Sequence, residues 1–270
     1  MLEMRQVVKI FNRGTIDEKV ALNGLSLTLA DGDFATVIGG NGAGKSTMLN
    51  AISGAWLPDE GKILLDGMDI SGLPEHKRAP YLGRVYQDPM MGTAAGMQIE
   101  ENLALAARRG KRRTLRLGIR KSEREEYRRL LSQLNLGLES RLAAKVGTLS
   151  GGQRQALTLL MATLQKPRLL LLDEHTAALD PKTAATVMSL TEKIVTENRL
   201  TTLMITHNMR DAIQFGNRLM MLHEGRVILD ISGEEKRRLT VSDLLELFTK
   251  ASGSEFVSDR AMLSQGAAAI

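Results

Sequence analysis

The chain has no cysteine among its 270 residues. That excludes disulfides, thiolate nucleophiles and thiolate metal sites, and it fits a reducing compartment. Aromatic residues make up only 3% of the chain, which argues against base-stacking platforms for nucleic acid. The four histidines, His76, His175, His207 and His223, stand too far apart for metal-ligand spacing. Long hydrophobic runs are missing too: an aliphatic block such as LLLL at 169–172 is far short of the roughly 20 residues a membrane span needs. The opening 1–10 (MLEMRQVVKI) is too short and too charged for a secretory leader. Neither sign of charge dominates, with 36 Lys and Arg against 31 Asp and Glu. The net +5 gives no reason to expect a nucleic-acid partner. What is left is the expectation of a soluble, cytoplasmic globular protein, and 43% hydrophobic residues suffice for a sizeable core.

Strand and helix patterns alternate along most of the chain. Segments 4–10 (MRQVVKI), 25–29 (LSLTL), 34–39 (FATVIG), 62–67 (KILLDG) and 82–89 (LGRVYQDP) read as strands bounded by turn residues. From about 99 to 165 the pattern is helical, with a basic stretch at 108–121 that reads as a solvated face. Alternation returns after Pro167: a strand RLLLLD, a helix from Pro181, a strand TTLMIT at 201–206, a helix NMRDAIQF stopped by Gly216, and a hairpin RLMMLHEGRVILD. Asp180 followed by Pro181 is a helix start, with a side-chain cap and a proline at the first helical position. Such alternation implies an α/β fold built on a mostly parallel sheet. The expected layout is a core of 1–87 and 166–250 within one domain of 1–250. A helical subdomain at 88–165 interrupts it, and a loosely structured tail occupies 251–270.

Two features carry chemistry. The run Gly39-Gly40-Asn41-Gly42-Ala43-Gly44-Lys45-Ser46-Thr47 fits the pattern Gly, four residues, Gly-Lys-Ser between a strand and a helix. Its glycines let successive backbone N–H groups converge on a phosphate. Lys45 neutralises β- and γ-phosphate oxygens, the Ser46 hydroxyl suits Mg²⁺, and Thr47 can bond the α-phosphate. The second feature is LLLLDEH at 169–175, a buried-type strand ending in two acids. Asp173 is placed for the Mg²⁺ shell, and Glu174 for an attacking water as general base.

A second anion-binding helix start follows at 148–157 (TLSGGQRQAL). Ser150 to Gln153, with Gly151 and Gly152 between, is also a Ser-x-x-Gln capping box, which starts a helix with no ligand at all. Capping and anion binding draw on the same amides, so the residues alone leave both readings open.

In this order, the phosphate loop 39–47, Gln87 in VYQDP, LSGGQ at 149–153, LLLLDE at 169–174, ALD at 178–180 and His207 in ITHN resemble the ATPase subunit of ATP-binding-cassette (ABC) transporters. The resemblance covers about 1–240. It implies a P-loop NTPase (RecA-like) core with an N-terminal antiparallel β subdomain and an inserted helical subdomain. ATP and Mg²⁺ are the implied ligands. By the same resemblance, Gln87 reaches Mg²⁺ and the attacking water, His207 contacts the γ-phosphate, and Asp180 carries signals between two subunits. Phe11 matches the position of an aromatic that stacks on adenine, where the family more often has Tyr. The resemblance also implies that two copies pack head to tail, with each ATP between Lys45 of one chain and Ser150 and Gly152 of the other. The implied partners are transmembrane permease subunits, a second identical ATPase subunit and an extracytoplasmic substrate-binding protein, with the chain on the cytoplasmic face of the membrane. A chain carrying the ATPase alone most resembles an importer, of amino-acid type. Export or lipoprotein-release ATPases, and a non-transport member such as an iron–sulfur assembly component, are alternatives with the same motifs. One departure stands out: His175 follows Asp173-Glu174 where the family usually has proline.

Overall fold

The computed structural model describes residues 1–111 and 118–252. Part of the basic stretch (112–117) and most of the expected tail (253–270) therefore lie outside the described residues. The described residues divide into two compact units, one within 1–78 and 200–252 and the other within 79–199.

In the first unit, β1 (Leu2–Phe11), β2 (Lys19–Leu29), β4 (Glu60–Leu65) and β5 (Met68–Asp69) form an antiparallel sheet in the order β2-β1-β4-β5. The first two strands are longer than their sequence patterns suggest. Register shifts between Met4 and Val7 and between Val7 and Lys9, with Gln6 at φ 49°, break the alternation that a period-two pattern needs. A second sheet has β3 (Phe34–Ile38) at its centre, parallel to β8 (Thr202–Ile205) on one side and β9 (Arg218–His223) on the other. All five β3 residues are buried, as expected of a strand covered on both faces. Antiparallel β10 (Arg226–Ser232) extends this sheet through the turn Glu224-Gly225. Helix α1 (Lys45–Ser53) follows β3, and a short α2 (Glu75–Arg78) lies further on. Ile38, Leu219 and Met221 of the sheet pack with Met209 and Ala212 of α7 (Met209–Gln214). Leu244 and Phe248 of α9 (Val241–Ser252) join the same cluster. Neither α9 nor α8 (Gly233–Arg238) has a counterpart among the expected elements.

In the second unit, β6 (Leu82–Val85) runs parallel to β7 (Leu169–Asp173). The strand expected over 82–89 stops at Val85. The Tyr86 carbonyl instead accepts from Gln155 Nε2 at 3.2 Å, so this backbone group is satisfied by a side chain. Between these strands the described residues hold α3 (Ile99–Ala107), α4 (Lys121–Ser132), α5 (Gly151–Thr163) and two 3-10 turns. Ile99, Leu103, Tyr127, Leu131, Ala156 and Leu157 centre their core. Helix α6 (Pro181–Asn198) follows β7. Among the described residues, no helix is long and apolar enough to cross a membrane.

Candidate functional site

The phosphate loop is built by close backbone packing. A Cβ on Gly39 would lie 2.3 Å from the Leu222 carbonyl, and one on Gly44, at φ 100°, would lie 2.6 Å from the Ala21 carbonyl. Both are backbone obstacles that no rotamer relieves, so glycine is required at each. The β9–β10 turn braces the loop, because Gly225 N–H donates to Ala43 O at 3.0 Å. Lys45 is buried and curls back, donating to Gly39 O at 2.7 Å and to Gly40 O at 2.9 Å. Helix α1 has no acid in its first turn and no side-chain cap, so its leading amides and dipole favour an anion. Asn41, Gly42 and Ser46 are exposed, and Thr47 is half-buried. At the other end of α1, buried Arg78 donates to the carbonyls of Ala51 and Ile52 at 2.6 and 2.8 Å. It thereby satisfies groups that a helix C-terminus leaves open.

His207 belongs to the same edge. Val37 pairs with Ile205, so Gly39 and His207 each stand two residues beyond that pair, where parallel sheets bind ligands. His207 is exposed, and Asn208 behind it caps α7. Phe11, half-buried at the end of β1, meets the edge of Trp56 with ring centroids 4.8 Å apart. Lys9 Nζ lies 5.7 Å from the Phe11 ring and pairs with Asp59.

The second unit gathers the acids. Val85 pairs with Leu172, so Gln87 and Glu174 both stand two residues past that pair at the C-terminal edge. Asp173 is held by Arg84, Nη2 to Oδ2 at 3.3 Å. Glu174 is half-buried and adopts φ 46°, a left-handed conformation that costs a non-glycine residue about 1 kcal/mol or more. Its carbonyl accepts from Ala177 N–H at 2.9 Å, closing a turn. His175 points elsewhere. It is buried, with Nε2 3.0 Å from Thr191 Oγ1, and that hydroxyl lies 2.8 Å from the Val187 carbonyl. With the hydroxyl proton on Val187, Thr191 accepts from the imidazole N–H. Burial lowers the His175 pKa to about 4. The residue that replaces the usual proline is thus a neutral packing contact to α6.

Ser150 caps α5. Its Oγ accepts from Gln153 N–H at 3.3 Å, while Gln153 Oε1 accepts from Ser150 N–H at 3.2 Å. Gly151 is exposed, whereas Gly152 is buried. A Cβ on Gly152 would stand 2.1 Å from Thr183 Cγ2 of α6. Glycine at 152 therefore has a reason inside the chain, the close approach of α5 to α6. Exposed Asp180 caps α6, accepting from Thr183 N–H at 3.1 Å, and the Thr183 hydroxyl and amide hold its carboxyl below the ordinary range. Pro181 is at the first helical position, as expected.

Each unit thus carries a set of site residues: 39–47 with His207 in the first, and Gln87, Asp173 and Glu174 with the capped start of α5 in the second. Among the described residues, no three His, Cys, Asp or Glu side chains cluster to hold a metal. The first unit offers the Ser46 hydroxyl, and the second offers the Asp173 carboxylate and the Gln87 amide oxygen. Each is a hard oxygen donor of the kind that suits Mg²⁺, which takes few protein ligands and fills its shell with phosphate oxygens and water. Gly225, Leu222, Arg78 and Trp56 were not legible as site supports, since each acts across a long sequence separation.

A family model described as ABC transporter matches residues 22–177. The chain is 47% identical over 252 residues to a tyrosine transport ATP-binding protein of Clostridioides difficile, covering 93% of this chain and 100% of that one. It is 36% identical over 211 residues to a methionine import ATP-binding protein of Rhizobium johnstonii, covering 77% of this chain and 56% of that relative's length. Among solved structures it is similar to the dimeric, post-hydrolysis ATP-binding cassette MJ0796 bound to ADP and Pi. The TM-score is 0.73 at 29% identity, over 86% of this chain and 98% of that one. The ADP conformation of the cassette MJ1267 gives a TM-score of 0.75 at 26% identity, over 92% and 98%.

Proposed function

The chain belongs to the ABC transporter family, and on that premise we propose that it is the ATP-hydrolysing subunit of an importer for tyrosine or a closely similar amino acid. The observation that carries the substrate class is the likeness over the full length of a tyrosine transport ATP-binding protein. In this reading residues 1–250 are one ATPase domain with a helical subdomain at 88–165. The chain works on the cytoplasmic face of a membrane, with permease subunits, a second copy of itself and an extracytoplasmic binding protein.

The chemistry follows from the residues. Lys45 and the amides of 40–47 hold the β- and γ-phosphates, which replace the carbonyls that Lys45 now contacts. Phe11 stacks on adenine, with Trp56 behind it. Ser46, Asp173 and Gln87 are the residues that would hold Mg²⁺, which would neutralise phosphate charge. Glu174 accepts the proton of the attacking water, and His207 orients the γ-phosphate. The second copy presents Ser150 and the amides of Gly151 and Gly152 to that phosphate, so ATP joins two chains and hydrolysis parts them. Met90 and Met91, 50% and 70% exposed in the loop after Gln87, offer an adaptable surface for the permease.

The test is reconstitution. The chain is purified from detergent-solubilised membranes with its partners, and the complex is placed in proteoliposomes with ATP at the ATPase face. ATP-dependent tyrosine uptake supports the proposal. Copurification with cytosolic proteins alone, or uptake of methionine or spermidine without tyrosine, overturns it.

A further inference from the structure

Arg84 is the charged side chain of β6 that meets Asp173, at 3.3 Å. The two side chains are only 13% and 16% exposed, so water and salt screen them weakly. The guanidinium carbon of Arg84 also lies 4.5 Å from the centre of the Tyr86 ring, in attractive cation–π range. One fixed positive charge is thereby shared between Asp173 and the residue next to Gln87.

We propose, resting on the reading of Asp173 as a Mg²⁺ ligand, that Arg84 is a positioning residue that sets metal affinity. It is a resident counter-ion of Asp173 before nucleotide arrives, and it competes with the divalent cation for that carboxylate. A poorly hydrated carboxylate needs a compensating charge, and the Arg84 guanidinium supplies one. The same charge repels an incoming cation. With Mg²⁺ bound, Arg84 would give up Asp173 and keep its contact with Tyr86, beside Gln87.

The sign of the effect separates this role from simple support. An arginine that merely orients Asp173 would, when removed, weaken metal binding. A competitor, when removed, tightens it. The experiment titrates Mn²⁺ into the full chain carrying Glu174→Gln with ATP present, and reads free Mn²⁺ by electron paramagnetic resonance. Arg84→Met and Arg84→Gln remove the charge, Arg84→Lys keeps it, and thermal melts report the fold of each. The neutral variants are expected to lower half-saturating Mn²⁺ about five-fold, the scale of one modest ion pair, with Arg84→Lys close to the parent. Unchanged or weaker Mn²⁺ binding in both neutral variants overturns the proposal while leaving the ATPase reading intact. No ATP-dependent Mn²⁺ uptake by the parent overturns the metal reading and this proposal with it.

Discussion

Replacing Gly152 with alanine tests why glycine stands there. The added Cβ would sit 2.1 Å from Thr183 Cγ2, well inside van der Waals contact. Thr183 is β-branched and stiff about χ1, and its N–H is committed to the Asp180 cap, so it yields only by moving α6 or losing the cap. Overpacking of this kind costs about 1–3 kcal/mol, partly offset by the roughly 1 kcal/mol gained in helix propensity. A net loss of about 1 kcal/mol lowers the melting temperature by about 3 °C for a domain of this size. Thr183→Ser removes the offending methyl and keeps the hydroxyl that Asp180 uses. The double variant Gly152→Ala/Thr183→Ser is therefore expected to melt near the parent and to regain ATPase activity, since the added methyl faces α6. The assay is a double-mutant cycle of thermal melts followed by circular dichroism, with ATP turnover measured on each protein. A Gly152→Ala protein as stable as the parent, or one not rescued by Thr183→Ser, refutes the packing argument. Rescued stability without rescued turnover shows instead that the methyl obstructs the phosphate.

Two further outcomes follow from buried groups. His175 has a native pKa of about 4 against an ordinary 6.5, so the unfolded chain takes up a proton at a pH where the folded chain does not. Its contribution is complete above pH 6.5 and is lost as the pH falls towards 4. It is worth about 2 kcal/mol between pH 7 and pH 5, so urea midpoints should fall over that window and fall less in His175→Asn. Gly39→Ala places a methyl 2.3 Å from the Leu222 carbonyl. It is expected to cost more than about 2 kcal/mol of stability and to abolish nucleotide binding, read by urea melts and equilibrium dialysis of ATP.

The parts legible in the sequence are those written locally. The loop 39–47, the acids at 173 and 174, the cap at Asp180 and the capping box at Ser150 are each set by a few neighbouring residues, and the described elements have the expected types around them. What local pattern could not supply is which distant atom each residue meets. The stretch 150–153 reads equally well as an anion site or a capping box, and the close approach of Gly152 to Thr183 is visible only in the fold. His175 directly follows Asp173 and Glu174 in sequence, yet after left-handed Glu174 its ring meets Thr191. The brace from Gly225 to Ala43 spans more than 180 residues. The strand ending at Val85 is shorter than its apolar pattern, because Gln155 takes the next carbonyl.

The central claim is that GGNGAGKST of one chain and LSGGQ of another complete a single ATP site. The most direct measurement is light scattering during size exclusion of the Glu174→Gln protein, with and without ATP, before and after adding Ser150→Arg. A dimer that forms only with ATP, replaced by an ATP-bound monomer once Ser150→Arg is present, is the expected result. Loss of ATP from the Ser150→Arg monomer, or an ATP-driven dimer that forms despite it, contradicts the two-chain site.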